Sequence, residues 1–287
     1  MWKRRSALAV AALTAVALLV LAGRALRPPV RELAPARSTV SPASPADSSG
    51  LIRYGRPVGH EADGRLLTKS HHACFHDPHL KVSRWVAYRA EGDDTSSRER
   101  HAGKFFPEPQ LPAGQRAEEY DYRGLWKPDR TGYDRGHQAP DAAIKRFGPE
   151  AQRETYSLAN TTPQHSQINQ GIWQDVEAAI RSWSAPNRPV WVVTGPIFFP
   201  KHETTYVGPN RVAVPDAYYA VLNRGLPPQV LSFLVANTAQ APWYASLNGF
   251  LVSVDSVEKL TGLDFLSELP DSAENRLEAL TPRTAWP

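Results

Sequence analysis

Cysteine is almost missing from this chain: among its 287 residues Cys74 is the only one. An intrachain disulfide is therefore excluded, and with it a small disulfide-stapled fold. A lone exposed thiol is a liability outside the cytosol, so Cys74 is expected to be buried. Internal repeats and heptad runs are absent too, which sets aside solenoids and coiled coils. Uncharged apolar runs are few. One, Ala7 to Ala22, follows the basic stretch Trp2-Lys3-Arg4-Arg5. It suits the core of a signal peptide and is slightly short for a membrane span, which needs roughly 17–25 residues. Residues 1–26 are thus expected to be a signal peptide or an N-terminal membrane anchor acting through residues 7–22. The expected location is exported, periplasmic or secreted.

A global excess of positive charge is also lacking, although the formal net of +4 suggests one. Residues 1–37 hold seven Lys or Arg and a single acid, Glu32, which leaves 26 basic against 28 acidic side chains in the remainder. Any surface for phosphate must then be a local cluster and not a field over the whole molecule. Residues 27–50 are rich in Pro, Ser, Thr and Ala with almost no large apolar side chain. They read as a disordered linker, because such a segment cannot bury enough surface to order itself. Residues 51–287 read as one folded domain, and eight Trp help to supply its core.

Within that domain, Trp85–Tyr88, Val190–Gly195, Ala217–Leu222 and Val230–Val235 read as strands, being β-branched or aromatic without a breaker. Residues 91–132 read as a long irregular region. The spacing of Ile172, Trp173, Val176, Ala179, Ile180 and Trp183 predicts a helix from about Asn169 to Trp183, stopped by Pro186. A second helix is predicted over Ser253 to Thr261, with Gly262 as its stop. Strands and helices do not alternate regularly, so the fold class is α+β with a mixed or antiparallel sheet.

Asp134-Arg135-Gly136-His137 holds the parts that phosphodiester cleavage needs. A neutral imidazole can deprotonate water, contributing roughly 10²–10⁴-fold. An arginine offers a planar fork to phosphate oxygens. A glycine permits tight backbone between them. On spacing alone, a surface turn with a solvated His is an equal reading. If Asn169, Trp173 and Glu177 share one helix, they lie on one side of it, where an amide oxygen and a carboxylate suit Mg²⁺. The plainer alternative is Asn169 as an N-cap and Glu177 as a solvated acid.

The stretch Tyr133-Asp134-Arg135-Gly136-His137-Gln138-Ala139-Pro140 resembles the signature of the DNA/RNA non-specific endonucleases, whose active site is a His-metal finger of ββα-metal type. The Asn160-Thr161-Thr162-Pro163-Gln164 segment, followed by Asn169, Trp173 and Glu177, is similar to the family's metal segment. Val193–Pro196, Val214–Tyr219 and Thr261–Phe265 resemble later segments in the same order.

The resemblance implies His137 as general base, Asn169 as the one direct ligand of Mg²⁺ (with Mn²⁺ able to substitute) and Glu177 holding the ion through water. It implies Arg135 on phosphate, Asn160 positioning the site by hydrogen bonds, and products with 5′-phosphates. A further phosphate-binding arginine upstream is expected; Arg100 fits better than Arg98, though neither spacing is clean. DNA and RNA are the implied substrates, and a homodimer is compatible with the family. The alternatives are a catalytically silent nucleic-acid or nucleotide-binding domain of the same fold and a small-nucleotide phosphodiesterase.

His71, His72, Cys74, His76 and His79 could in principle bind zinc or copper. Their spacing matches no recognised finger, and alternation along a strand would split them between faces. His165, next to Gln164, has two readings, a residue near the phosphate groove and the plainer one of an exposed polar loop residue. Because only neutral His accepts a proton, activity is expected to rise with pH through the ordinary imidazole pKa.

Overall fold

The computed structural model describes residues 50–92, 103–242 and 245–287. The leader, almost all of the 27–50 linker, and both Arg98 and Arg100 lie outside the described residues. Eleven strands occur among the described residues. They are β1 (Arg65–Thr68), β2 (His72–Asp77), β3 (Val82–Ala90), β4 (Tyr133–His137), β5 (Thr161–His165), β6 (Val190–Ile197), β7 (Thr205–Val207), β8 (Val212–Val214), β9 (Ala217–Arg224), β10 (Gln229–Ala236) and β11 (Leu251–Val252). Seven form one antiparallel sheet in the order β1-β2-β3-β6-β9-β10-β11. The pairs β4-β5 and β7-β8 stand apart from it. This is the α+β architecture expected.

Both faces of the large sheet are covered. On one face Val86 and Tyr88 of β3, Val192 of β6, Tyr218 and Leu222 of β9 and Phe233 of β10 join a core with the helices around the β4-β5 pair. On the other, Trp85, Ala87, Val193, Tyr219, Val221 and Leu234 pack with Val254, Val257, Leu263 and Phe265. An antiparallel sheet with one wet face alternates apolar and polar residues; burial on both faces requires apolar residues at consecutive positions. That is why the central strands are continuous apolar runs in the sequence.

The short helices α1 (Asp141–Ile144) and α2 (Pro149–Thr155) connect β4 to β5, and α3 (Ser166–Asn169) and α4 (Ile172–Trp183) follow β5. The single helix expected from Asn169 to Trp183 is thus broken: Asn169 ends α3, and Gly171 caps the start of α4 with φ −123° and ψ −118°. The apolar periodicity belongs to α4 alone, whose Ile172, Trp173, Val176, Ile180 and Trp183 are buried. Trp173 packs on Tyr218 with ring centroids 5.5 Å apart.

The later helix α5 (Val254–Thr261) begins and ends where expected. The Ser253 side chain caps its N-terminus and left-handed Gly262 stops it. A last helix, α6 (Asp271–Glu278), packs beside it.

Candidate active site

The β4-β5 pair presents the candidate residues. Its register sets Asp134 against Gln164, Gly136 against Thr162 and His137 against Thr161. Gly136 is required here by close approach: a Cβ at this position would stand 2.1 Å from Gln164 Oε1 and 2.5 Å from its Cβ.

His137 is half-buried at the end of β4. Its ring lies 5.0 Å from that of Phe105, tilted, and 4.9 Å from that of Tyr156, edge-on. Nε2 is shut off from solvent and has no hydrogen-bond partner. Burial lowers the His137 pKa to about 4, against a smaller raising effect of Asp141. The imidazole is therefore neutral at physiological pH, the form that can accept a proton.

Asp134 is the hub of the adjoining cluster. Its Oδ1 accepts from Ser166 Oγ at 2.6 Å, and its Oδ2 accepts from Asn169 Nδ2 and from Gln170 Nε2, both at 2.8 Å. With its Nδ2 committed, Asn169 has its amide oxygen left to offer a cation. Helix α3 places Asn169 there, and the helix break replaces the single helical face expected for Asn169, Trp173 and Glu177.

Glu177 sits half-buried on α4, not on the solvated face of the plainer reading. Burial raises its pKa to about 8; the Asp141 charge adds to this, while Arg181 and the Trp173 indole oppose it. Asp141 thus neighbours both His137 and Glu177. Its Oδ2 accepts from the Tyr156 hydroxyl at 2.9 Å and from Gln152 Nε2 at 3.2 Å. Tyr156 thus packs on the His137 ring and hydrogen-bonds Asp141, whose charge acts on both His137 and Glu177.

Arg135 is exposed, its guanidinium 5.1 Å from the Phe105 ring centroid and 6.0 Å from that of Tyr122. Phe105 is held from the irregular region: its neighbour Phe106 exchanges backbone hydrogen bonds with Tyr156 and Leu158. Two residues on, fully buried Glu108 accepts from Lys69 Nζ at 2.8 Å and Ser157 Oγ at 2.6 Å. Burial alone would raise the Glu108 pKa, and these bonds bring it below its ordinary value.

Asn160 is fully buried. Its Oδ1 accepts from Ala139 N, and its Nδ2 donates to the carbonyls of Ala139 and Thr155, all at 2.8–2.9 Å. It staples the chain just after His137 and is not an exposed reacting group.

The sequence left Asp134's role, Asp141, Tyr156 and Phe105 unassigned. Asp134 and Asp141 are legible as acids flanking His137. Tyr156 and Phe105 carry no local signal, because their approach depends on long-range packing.

His165 is corrected from an exposed loop residue to a nearly buried one on β5. Its Nδ1 accepts from Gln167 N at the start of α3, and its ring meets Tyr133 edge-on. Cys74 is buried as expected. Of its neighbours, His71 stacks on Phe147 and His76 Nε2 bonds to the Gln115 carbonyl. Among the described residues these side chains do not gather into a metal-binding set.

This fold recurs in a solved structure, the crystal structure of the EndoG/EndoGI complex. One of its chains aligns with a TM-score of 0.67 and 25% identity, over 79% of this chain and 94% of that one. The fold is that of the ββα-metal nucleases. A model described as DNA/RNA non-specific endonuclease matches residues 48–272, and the chain belongs to that family of hydrolases acting on DNA and RNA. Its relatives include a bovine protein named endonuclease G, mitochondrial, 31% identical over 84% of this chain and 82% of that protein. Another is the Xenopus laevis protein named nuclease EXOG, mitochondrial, 32% identical over 80% of this chain. The chain spans 65% of that protein's length.

These names correct the expected location. The relatives are mitochondrial nucleases, which points away from an exported, periplasmic or secreted protein. Among the described residues no helix is long and apolar enough to cross a membrane, and the 7–22 segment lies outside them.

The family is one of metal-dependent nucleases, and the donors here fit a hard divalent ion. Asn169 offers an amide oxygen oriented by Asp134, and Glu177 offers a carboxylate. Such a sparse oxygen set suits an ion that keeps most of its waters.

Proposed function

We propose that this chain is a Mg²⁺-dependent endonuclease that hydrolyses DNA and RNA phosphodiester bonds without sequence preference and leaves 5′-phosphates. The observation that carries the reading is a neutral His137 held between Phe105 and Tyr156, near an Asn169 whose amide is oriented by Asp134 through the β4–α3 contact. His137 accepts the proton of the attacking water. Its Nε2 is sealed from solvent, so Nδ1 is the accepting atom. Phe105 and Tyr156 hold the ring in place. Arg135, exposed at the end of an aromatic shelf, binds a phosphate oxygen pair. Asn169 would hold Mg²⁺ through its amide oxygen, Glu177 would hold it through water, and Mn²⁺ could replace it. When bound, the ion supplies positive charge to the phosphate and the departing 3′ oxygen. These contacts read phosphate and not base edges, so they carry no sequence information. The relatives' names extend the reading to a mitochondrial location. An N-terminus with seven basic residues against one acid has the charge balance of a transit segment.

The test incubates the full chain with plasmid and with RNA in Mg²⁺, then with EDTA, then with His137→Ala. The expected result is cutting of both substrates, loss with EDTA, and at least about a hundredfold slower cutting by the variant. Equal cutting by His137→Ala removes the base from His137. No cutting with any divalent ion favours a silent binding domain.

A further inference from the structure

On the sheet face opposite the β4-β5 pair, α5 and α6 bring five carboxylates together. Asp255 and Glu258 lie three apart on α5, and Glu274 and Glu278 four apart on α6, so each pair shares a helix face. Asp264 joins them from the loop between, where its backbone N–H and carbonyl are fixed by reciprocal hydrogen bonds to Val58 at 2.8 and 2.9 Å. Carboxylate oxygens of Asp255, Glu258 and Glu278 lie within 4.8 Å of one another, and so do those of Asp264, Glu274 and Glu278. Glu278 belongs to both sets.

Two observations separate this cluster from an ordinary acidic surface. Glu278 is only 6% exposed, and its Oε1 is buried without a hydrogen-bond partner. Among the described residues, no Lys, Arg or His forms an ion pair with any of the five. Burying a carboxylate among like charges is costly unless a cation or a proton compensates.

We propose that this acidic cluster binds a calcium-like divalent cation, separate from the nuclease centre, at Glu278 together with Asp255 and Glu258 or with Asp264 and Glu274, so that Glu278 is the shared ligand that ties α5 to α6. The donor set favours Ca²⁺ by its chemistry: it is made only of carboxylate oxygens, and Ca²⁺ takes six to eight oxygens in flexible geometry, whereas Mg²⁺ demands a near-ideal octahedron and accepts few protein ligands. One oxygen of Glu258 accepts from Phe265 N at 2.9 Å, which holds the side chain in place, and its carboxyl group also meets that of Glu278 within hydrogen-bonding reach, a contact that a bound cation would replace. Burial and the neighbouring carboxylates raise the pKa of Glu278, as expected where like charges meet without a counter-ion. The site would clamp α5 and α6, which cover the sheet face opposite the nuclease centre.

The test follows thermal unfolding of the full chain after EDTA dialysis, with and without millimolar CaCl₂. Ca²⁺ is expected to raise Tm on the order of 5 °C. Asn169→Ala is expected to retain that rise, and Glu278→Gln to lose it. If Glu278→Gln fails to fold, Glu258→Gln or Glu274→Gln, according to which set holds the ion, is expected to weaken Ca²⁺ binding about tenfold in a calorimetric titration. The proposal is overturned if Ca²⁺ shifts the wild type and Glu278→Gln equally, or if only Asn169→Ala abolishes the rise. It is also overturned if Ca²⁺ leaves the wild type unchanged while Glu278→Gln in EDTA is the more stable protein, the signature of a proton-sharing cluster. A nuclease that cuts in Mg²⁺ but shows no Ca²⁺ shift would sink this site and leave the proposed activity standing.

Discussion

Asn169 donates its Nδ2 to Asp134 Oδ2 at 2.8 Å, so a carboxylate on β4 decides which end of an amide on α3 is free to meet a cation. Asp134→Asn removes the negative charge that fixes this orientation and lets the amide turn over. A weakened partner of this kind typically costs 10–100-fold in metal affinity. The expected outcome is a Mg²⁺ requirement raised by about that factor, with the maximal cutting rate largely restored at high Mg²⁺. Rates measured against Mg²⁺ concentration check it. A fall in maximal rate with no change in Mg²⁺ requirement would remove Asp134 from this role.

The pH profile should depart from that of an ordinary histidine base. His137 is lowered to about 4, so it is already neutral across pH 5.5–8 and contributes no rise there. This replaces the expectation from sequence of a rise through the usual imidazole value. Glu177 is raised to about 8, so it is protonated at pH 7 and ionises as pH climbs past 8. The ionised form is the one that can hold a cation. Cutting at low Mg²⁺ should therefore increase between about pH 7 and 9, and more Mg²⁺ should move the rise to lower pH by linkage. Glu177→Gln should abolish the rise. A wild-type profile flat across this range at limiting Mg²⁺ would contradict the assignment.

Asn160 separates a staple from a reacting group. Asn160→Ala leaves the Ala139 N–H and the Ala139 and Thr155 carbonyls unpaired in the interior. Unsatisfied buried groups cost about 1–3 kcal/mol each, so a loss of about 3 kcal/mol and a Tm lower by on the order of 10 °C are expected. Activity should fall together with stability. An inactive variant with unchanged Tm would show that Asn160 acts on the chemistry directly.

Gly136→Ala should disrupt the β4-β5 pair, since the new methyl group would overlap the Gln164 side chain. Overpacking of this kind costs about 1–3 kcal/mol. Gln164→Gly in the same chain removes the overlapping atoms and should recover most of the lost stability in a double-mutant cycle. Full additivity of the two losses would place the clash elsewhere.

The strands β3, β6, β9 and β10 were legible because burial on both faces of the sheet imposes unbroken apolar runs. The Asp134–His137 motif was legible because its chemistry is confined to four consecutive residues. The break between α3 and α4 was hidden by the strong apolar period that begins at Ile172; its one local sign is Gly171, a residue tolerated within a helix as well as at its start, so the sequence alone does not decide between the two. His165 was misjudged for a related reason: a histidine beside a glutamine has no mark of burial until β5 is set against β4.

By itself the sequence determined the central strands β3, β6, β9 and β10 and the position of α5, since these follow from local composition and spacing, while the base, the amide and the acid came from the resemblance of ordered motifs to a known family. The tertiary structure alone decided their protonation and orientation. Burial made His137 neutral and Glu177 reluctant to ionise, and Asp134 on β4 aligned Asn169 on α3. Desolvation and hydrogen-bond partnership are properties of what surrounds a side chain, and here those surroundings come from Phe105, Asp141 and Tyr156, which folding brings together.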